Sequence, residues 1–154
     1  MPAMEDHPSL VFLSGRVRFA IPVERVVRVV GATSFSTLPG AKLPILGIVN
    51  VHGRAAPLLD LREPGDGSVV GLSDRFVVVN GEHTLIVLLA EKIVGVRQTP
   101  LDGLVPIAGL SHIASMFRGV SQLDDDLVVI CDVDYLVREA AGVLDALHQQ
   151  GHEP

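Results

Sequence analysis

Residues 46–61 read LGIVNVHGRAAPLLDL, which is the pattern of two apolar strands joined by a tight turn. Before the turn, β-branched residues such as Ile48 and Val49 suit a pleated, half-buried surface. His52 and Gly53 supply the turn, because glycine takes a positive φ without steric cost. Pro57 cannot donate a hydrogen bond to a neighbouring strand, so we expect it at a bulge or a sheet edge. The stretch therefore predicts a β-hairpin.

The composition describes an acidic protein with an aliphatic core. A length of 154 residues allows one domain, or two small lobes that share a core. Hydrophobic residues make up 48% of the chain and aromatic residues only 4%, so the core must consist largely of Val, Leu and Ile. The net charge of -6 argues against nucleic-acid binding, which normally needs a basic face.

The same sequence favours the cytoplasm as the location. No apolar run reaches the ~20 residues that a membrane helix needs, so we expect no direct membrane insertion. The N-terminal segment MPAMEDHPS is acidic and does not resemble a signal peptide. The single cysteine, Cys131, cannot form an internal disulfide, which fits a reducing compartment.

Three further polar turns between apolar runs predict more hairpins. Their turns lie at residues 14–16, at Asn80-Gly81 and at residues 124–126, where the sequence is Asp-Asp-Asp. Asn-Gly between alternating apolar residues is the strongest short-range hairpin signal. Most of the chain is therefore expected to be β-strand.

Two segments predict helix. A short helical turn is expected to begin at Pro22, because proline is accepted at the first helical position. The C-terminal segment keeps helical spacing of apolar residues as far as Gly151, and Asp132 or Asp134 could cap it. We assign residues 139–154 to this helix and its tail.

The two halves of the sequence resemble each other. Gly47 and Asp60 recur as Gly119 and Asp132 at an offset of 72 residues, and the hairpin and the segment that precede them recur at offsets of 66 and 67. We infer two related β subdomains, residues 10–62 and 74–135. The glycine-rich segment 63–73 is the expected connection between them. Chance similarity between valine-rich hairpins is the alternative.

Candidate catalytic, cofactor and metal sites are weak. His148 and His152 have the i, i+4 spacing of a helical metal site, but Gly151 interrupts that helix. The three aspartates at 124–126 lack the ligand spacing of a calcium loop. Cys131 lies in an apolar run where it is expected to be a core residue. We predict no catalytic residue, no cofactor, no metal and no enzymatic activity.

The hairpin resembles the signature of the CheW-like family, the coupling proteins of bacterial chemotaxis. That signature is a Gly-Val-Ile-Asn-Leu-Arg-Gly stretch followed by Pro-Val-Ile-Asp-Leu. The residues that fit it are Gly47, Asn50, Gly53, Pro57, Asp60 and Leu61. FAIPVERVVRVV from Phe19, Leu38-Pro39 and the closing segment MFRGVSQLDDDLVVICDVDYLV resemble other family elements in the same order. The resemblance covers residues 9–138 as a single domain.

The resemblance implies an all-β fold of two intertwined five-stranded SH3-like barrels with a C-terminal helix. It also implies a non-enzymatic adaptor that binds the cytoplasmic tip of a methyl-accepting chemoreceptor and the regulatory domain of a chemotaxis histidine kinase. An alternative is a CheW-like regulator of pilus motility, biofilm formation or second-messenger output. A small β-barrel ligand-binding protein or enzyme is a further alternative.

The family's receptor groove implies the partner-binding residues, which are Val26, Val29, Asn50, His52 and Arg54. Core packing is the alternative role for the two valines, turn stabilisation for Asn50, and a solvated turn residue for Arg54. His52 departs from the family, which has arginine at this position. Arg28 replaces a family glutamate, so we hypothesise that charges have been exchanged between the two neighbouring elements.

Overall fold

The chain, in a computed structural model, is mostly β-strand with one long helix at its C-terminus. Residues 6–38, 44–62, 70–107 and 114–151 are described, although side chains are not described for 114, 143, 144 and 146–151. The strands are β1 (Asp6–Ser14), β2 (Val17–Pro22), β3 (Val26–Gly31), β4 (Ser36–Thr37), β5 (Ile45–Val51), β6 (Arg54–Leu59), β7 (Arg75–Asn80), β8 (Leu85–Ala90), β9 (Lys92–Pro100), β10 (Phe117–Leu123) and β11 (Asp126–Cys131), and the helix is α1 (Val133–Gly151).

The strands form two sheets that are interleaved along the chain. Sheet A has the order β10-β11-β2-β1-β9, and sheet B has the order β3-β7-β8-β6-β5-β4. Each sheet therefore takes strands from both halves of the sequence, which confirms the intertwined all-β fold. Sheet B has six strands rather than the expected five, because the two-residue strand β4 pairs with β5. The boundaries 10–62, 63–73 and 74–135 stay a prediction about the repeated units, since the sheets cross them.

The internal repeat is visible in the backbone. The hairpin β5–β6 and the hairpin β10–β11 begin and end at residues that are 72 positions apart. Each has a register irregularity just before its glycine, between Ile45 and Gly47 in one and between Phe117 and Gly119 in the other. In each, the second strand pairs in parallel with a strand of another hairpin, β6 with β8 and β11 with β2.

Both repeat glycines are required by close packing. A Cβ on Gly47 would collide with the backbone carbonyl oxygen of Ser36 in β4. A Cβ on Gly119, where φ is +144°, would lie 2.9 Å from the Cβ of Leu104. In each half a neighbouring segment therefore crosses the first strand of the hairpin at a distance that only glycine permits.

The buried apolar residues form three clusters, one of which joins the two sheets. The largest joins strands of both sheets with Val133, Leu136 and Ala140 of α1. A second cluster, which includes Val49 and Phe76, lies within sheet B, and a third lies within sheet A. Because each sheet has its own cluster and shares another, the halves form one continuous folded unit.

The hairpin predicted around Asn80-Gly81 is confirmed, whereas the position of Pro57 needs correction. Asn80 is the last residue of β7 and pairs with Leu85, so a four-residue loop that begins at Gly81 joins β7 to β8. A Cβ on Gly81 would collide with Val137 of α1, so helix packing explains this glycine. Pro57 lies in the interior strand β6, one residue before Leu58, where pairing with β8 begins, and not at an edge.

Both helical predictions are confirmed. A 3₁₀ turn at Val23–Arg25 follows Pro22. Helix α1 begins at Val133, before the expected boundary at residue 139, and the backbone N–H of Tyr135 donates to Asp132 Oδ1 at 3.1 Å. Asp132 is therefore the cap of α1. In the part of the chain that the structure describes, no helix has the length and apolar character to cross a membrane.

Candidate functional site

The turn between β5 and β6 has both central residues in the left-handed region. The φ angles are +49° at His52 and +84° at Gly53, which matches a two-residue hairpin turn of the primed type. Asn50 Oδ1 accepts a hydrogen bond of 2.7 Å from the backbone N–H of Gly53. Asn50 therefore stabilises the turn, and its amide oxygen is engaged in doing so.

Strand β3 forms an edge of sheet B and pairs with β7 alone among the described strands. Its valines are unusually accessible, with exposed fractions of 45% for Val27, 36% for Val29 and 38% for Val30. Val26 differs, because it is half-buried and packs against the largest apolar cluster. Of the two valines in the predicted site, Val29 presents a surface and Val26 packs onto the core.

Arg28 on β3 contacts His52 in the turn. Arg28 Nη1 lies 2.6 Å from His52 Nε2, and both side chains are exposed. A guanidinium has only donors, so the imidazole must accept through Nε2 and carry its proton on Nδ1. The contact joins the edge strand of sheet B to the hairpin turn. It also joins the two residues that the resemblance marks as departures from the CheW-like pattern, and neither of them supplies an acid.

A cavity of about 310 Å³ lies beneath this contact. Its walls come from β3, the β5–β6 hairpin and the buried strands β7 and β8. The residues that line it are Arg28, Val30, Thr33, Val49, Asn50, Val51, His52, Phe76, Val78 and Val87. We call this cavity and the Arg28–His52 contact at its mouth the seam cleft. It combines a largely apolar interior with cationic and amide groups at the mouth.

The structure brings together some of the predicted site residues and separates others. Asn50 and His52 line the seam cleft, and Arg54 lies exposed just beyond the turn at the start of β6. Val29 is on the same strand as Arg28. Val26 is not among the residues that line the cleft.

Of the ten residues that line the cleft, sequence reasoning assigned only Asn50 and His52 to the site, and it missed Val30 and Phe76 among others. Five residues of β3, Val26 to Val30, read VVRVV, so apolar side chains lie on both faces of the strand. That pattern could have indicated an exposed apolar face at Val30. Phe76 carries no local signal, because it reaches the cleft only through the pairing of β7 with β3.

The side chains that the sequence analysis considered and rejected as catalytic or metal-binding groups are not among the described residues that line the seam cleft. Cys131 is buried, and this burial raises the pKa of its thiol, so the side chain is an inert core residue. Within the described residues, no group of three or more His, Cys, Asp and Glu side chains could hold a metal. The side chain of His148 and all of His152 lie outside that part.

Comparison with known proteins identifies the family. The model of the CheW-like domain matches residues 8–141. Protein FrzA of Myxococcus xanthus is 29% identical over 124 residues, which are 78% of this chain and 77% of that protein. Chemotaxis protein CheW of Helicobacter pylori is 23% identical over 133 residues, covering 83% of this chain and 79% of that protein.

A solved structure supports the same conclusion for the fold. The scaffolding protein TtCheW from Thermoanaerobacter tengcongensis superposes with a TM-score of 0.68 at 20% identity, covering 88% of this chain and 89% of that one. The sheet topology, the repeat and the domain match agree. The chain belongs to the CheW-like family, whose members are non-enzymatic scaffold or adaptor proteins with an SH3-like β fold.

Proposed function

We propose that the chain is a cytoplasmic adaptor that couples the cytoplasmic tip of a chemoreceptor to the regulatory domain of a chemotaxis histidine kinase. Its match to the CheW-like domain over most of its length supports this role. So does its similarity to a protein named for chemotaxis. In this proposal the receptor binds at the seam cleft and strand β3. Val29, His52 and Arg54 contact the receptor. Asn50 holds the turn, and Val26 anchors the strand.

The observation that carries the proposal is the accessible valine-rich edge beside the cleft. Specific interfaces bury on the order of 800 Å² on each partner, and their centres are apolar. On β3, Val30 supplies apolar surface on the face that lines the cleft, and Val29 supplies it on the opposite face of this edge strand. Exposed apolar edge strands favour unwanted association unless something covers them. A protein partner that packs on β3 would cover this one.

The dimensions of the cleft favour a protein segment over a small molecule. Ligand pockets hold about 300–1,000 Å³ and enclose most of their ligand. The cleft, at about 310 Å³, is at the lower end of that range, and the side chains at its mouth are exposed. Asn50, one of its few polar groups, is engaged in the turn. One or two partner side chains fit this space better than a whole substrate.

Reconstitution tests the proposed function. The purified chain is mixed with membrane vesicles that contain a chemoreceptor of the source organism and with its chemotaxis histidine kinase. We expect the chain to sediment with the vesicles and to raise the autophosphorylation rate of the kinase only when the receptor is present. Failure to sediment, together with an unchanged kinase rate, would contradict the proposal.

The repeat offers a matched pair of variants for this assay. Val29 of β3 corresponds to Val96 of β9 at an offset of 67, and both are exposed on edge strands. We expect Val29→Glu to reduce sedimentation with the receptor by about tenfold, because it places a charge on the exposed edge strand that the partner is proposed to cover. Val96→Glu should leave receptor sedimentation unchanged. Equal losses in both variants would remove β3 from the proposed receptor site.

A second candidate function is a CheW-like adaptor for pilus motility, biofilm formation or second-messenger output. This candidate is supported by the substitutions at Arg28 and His52, where the family has glutamate and arginine. It predicts the same fold and the same contact surface but a different kinase. Repeating the reconstitution with each histidine kinase of the source organism that has a CheW-like domain distinguishes the two, since only the cognate kinase should respond.

A further inference from the structure

The first half of the chain contains a basic region in an otherwise acidic protein. Residues 25–59 include four Lys or Arg residues and no Asp or Glu. The remainder of the chain therefore carries eight of the 12 Lys and Arg residues and all 18 Asp and Glu residues. This segment builds β3, the β5–β6 hairpin and most of the seam cleft. A local excess of one charge on a protein of the opposite net charge indicates a surface that attracts a complementary partner.

The cations at the cleft have no carboxylate partner within the described residues. Arg25, at the start of the basic region, pairs with Asp134 at 3.1 Å. Arg28 instead contacts another nitrogen base, His52, and Arg54 takes part in none of the ion pairs between described residues. An arginine that faces a histidine and no acid leaves its charge uncompensated.

The equivalent turn in the second half has the opposite charge. His52, Gly53 and Arg54 correspond to Asp124, Asp125 and Asp126 at the offset of 72. Arg28 corresponds to Gly95 of β9 at the offset of 67. The second half thus has acids in this turn and no arginine at the position of Arg28. The Arg28–His52 pair is specific to the first half.

We propose that the seam cleft binds a protein segment that presents a carboxylate to Arg28 and His52, flanked by aliphatic side chains that pack on Val30 and enter the cavity. This inference rests on the proposed function, because it specifies the chemistry of the receptor segment that would occupy that site. The partner supplies the acid that the Arg28–His52 pair lacks.

The geometry of Arg28 suits this role. Its contact with His52 uses Nη1, and the rest of the guanidinium fork can donate two parallel hydrogen bonds to one carboxylate. A carboxylate at the same point can also accept from the imidazole once the ring proton moves from Nδ1 to Nε2, which replaces the Arg28–His52 contact with two contacts to an anion. Val30 and the apolar lining below would contact the neighbouring side chains of the segment. The site thus selects for an acid between aliphatic residues.

A matched pair of peptides tests the selection. The probe is an acetylated and amidated nonapeptide with one glutamate, two leucines on each side of it and serines at the ends; the control has glutamine in place of the glutamate. Each is titrated into the ¹⁵N-labelled full chain while amide signals are followed by NMR. We expect the signals of Gly53 and Val30 to move, with about fivefold tighter binding of the glutamate peptide at low salt.

Variants of the chain assign that preference to the cleft. Arg28→Gln should abolish the difference between the two peptides, whereas Arg97→Gln, on the exposed edge strand β9, should keep it. The double variant Arg28→Glu/His52→Arg carries its own acid and should also lose the preference. Equal binding of both peptides by the wild-type chain, or no binding of either at millimolar concentration, overturns the proposal. So does a preference that survives Arg28→Gln.

A second copy of the chain is the competing occupant, since its turn at 124–126 is acidic. If it occupied the cleft, the Gly53 signal would move with protein concentration in the absence of peptide, and Asp124→Asn/Asp125→Asn would abolish that movement. This result would overturn the assignment to a receptor segment. If reconstitution succeeds but the peptide test fails, only the proposed selection for a carboxylate is wrong. If the peptide test succeeds but reconstitution fails, the assignment of the receptor as the partner is wrong instead.

Discussion

The turn after β5 and the turn after β10 lie at equivalent positions and carry opposite charge, but only their first central residues share a left-handed φ, since Gly53 is left-handed and Asp125 is not. His52 and Asp124, 72 residues apart, are the non-glycine residues with positive φ in the described chain, at +49° and +55°. His52 contacts Arg28 at the seam cleft, whereas the acidic turn reaches Arg18 through Asp126 at 3.1 Å. The two hairpins thus occupy equivalent positions with different side chains at their turns, and we expect those side chains to select different partners.

The aspartates that follow the two hairpins also occupy equivalent backbone positions, but their side chains make different contacts. Asp60 and Asp132 donate equivalent backbone hydrogen bonds, to the carbonyl oxygens of Pro44 at 2.7 Å and Met116 at 2.8 Å. Their side chains have separate roles. Asp60 holds the buried guanidinium of Arg62 at 2.8 Å, and Asp132 caps α1. A common backbone position thus supports an ion pair in one half and a helix in the other.

The largest expected effect separates these two aspartates. Asp60→Ala removes the carboxylate that accepts from the buried guanidinium of Arg62, so we expect the free energy of unfolding to fall by about 3 kcal/mol. Asp132→Ala removes a helix cap and should cost about 1 kcal/mol. Urea denaturation of both variants measures the difference. Equal losses would mean that the two positions are structurally equivalent.

The repeat glycines should behave alike, unlike the two aspartates. We expect Gly47→Ala and Gly119→Ala each to lower the free energy of unfolding by about 2 kcal/mol, because the added methyl group meets another segment. Gly142 lies in α1 with open space around it, so Gly142→Ala should stabilise the chain slightly. Thermal unfolding of the three variants is the measurement. A tolerated methyl group at either repeat glycine would contradict the close crossing there.

A smaller effect is expected from the side chain that supports the first turn. Asn50→Ala removes the hydrogen bond to Gly53 and should cost about 1 kcal/mol. Asn50→Asp keeps the acceptor oxygen and serves as the control. If denaturation curves of Asn50→Ala coincide with those of the wild-type chain, the turn does not depend on this hydrogen bond.

The smallest effect concerns the ion pair that joins β1 to the 3₁₀ turn. His7 Nε2 lies 2.7 Å from Glu24, and this hydrogen bond lowers the pKa of the Glu24 carboxyl. A lowered folded-state pKa contributes stability above the unfolded pKa, and this contribution is lost as the pH falls through the folded value. Glu24→Gln should therefore lower the free energy of unfolding by about 0.3 kcal/mol near neutral pH and leave it unchanged in strong acid. Unfolding experiments across acidic pH measure this convergence.

Local patterns predicted much of the fold. Apolar runs around short polar turns placed the hairpins β1–β2, β5–β6, β7–β8 and β10–β11, and helical spacing placed α1. The contact of Gly81 with Val137 of α1 is a further reason for that glycine, and no local pattern reveals it. Interleaving of the sheets likewise depends on pairings between distant strands.

The candidate site was predictable only in part. The turn residues Asn50 and His52 follow from the hairpin pattern and the resemblance, and both line the cleft. The contact of Arg28 with His52 joins positions 24 residues apart, at an edge strand and a turn of the same sheet. Local sequence does not encode that proximity, because it arises from the way sheet B brings its edge strand to its hairpin turn.

The most direct test of the account exchanges the two turns. In one variant His52→Asp gives the first turn the acid of the second, and in the other Asp124→His makes the reverse change. The measurement is the dissociation constant of each variant for receptor-containing vesicles. We predict about tenfold weaker binding for His52→Asp and unchanged binding for Asp124→His. Unchanged binding for His52→Asp, or a loss confined to Asp124→His, would contradict the claim that the first turn meets the receptor.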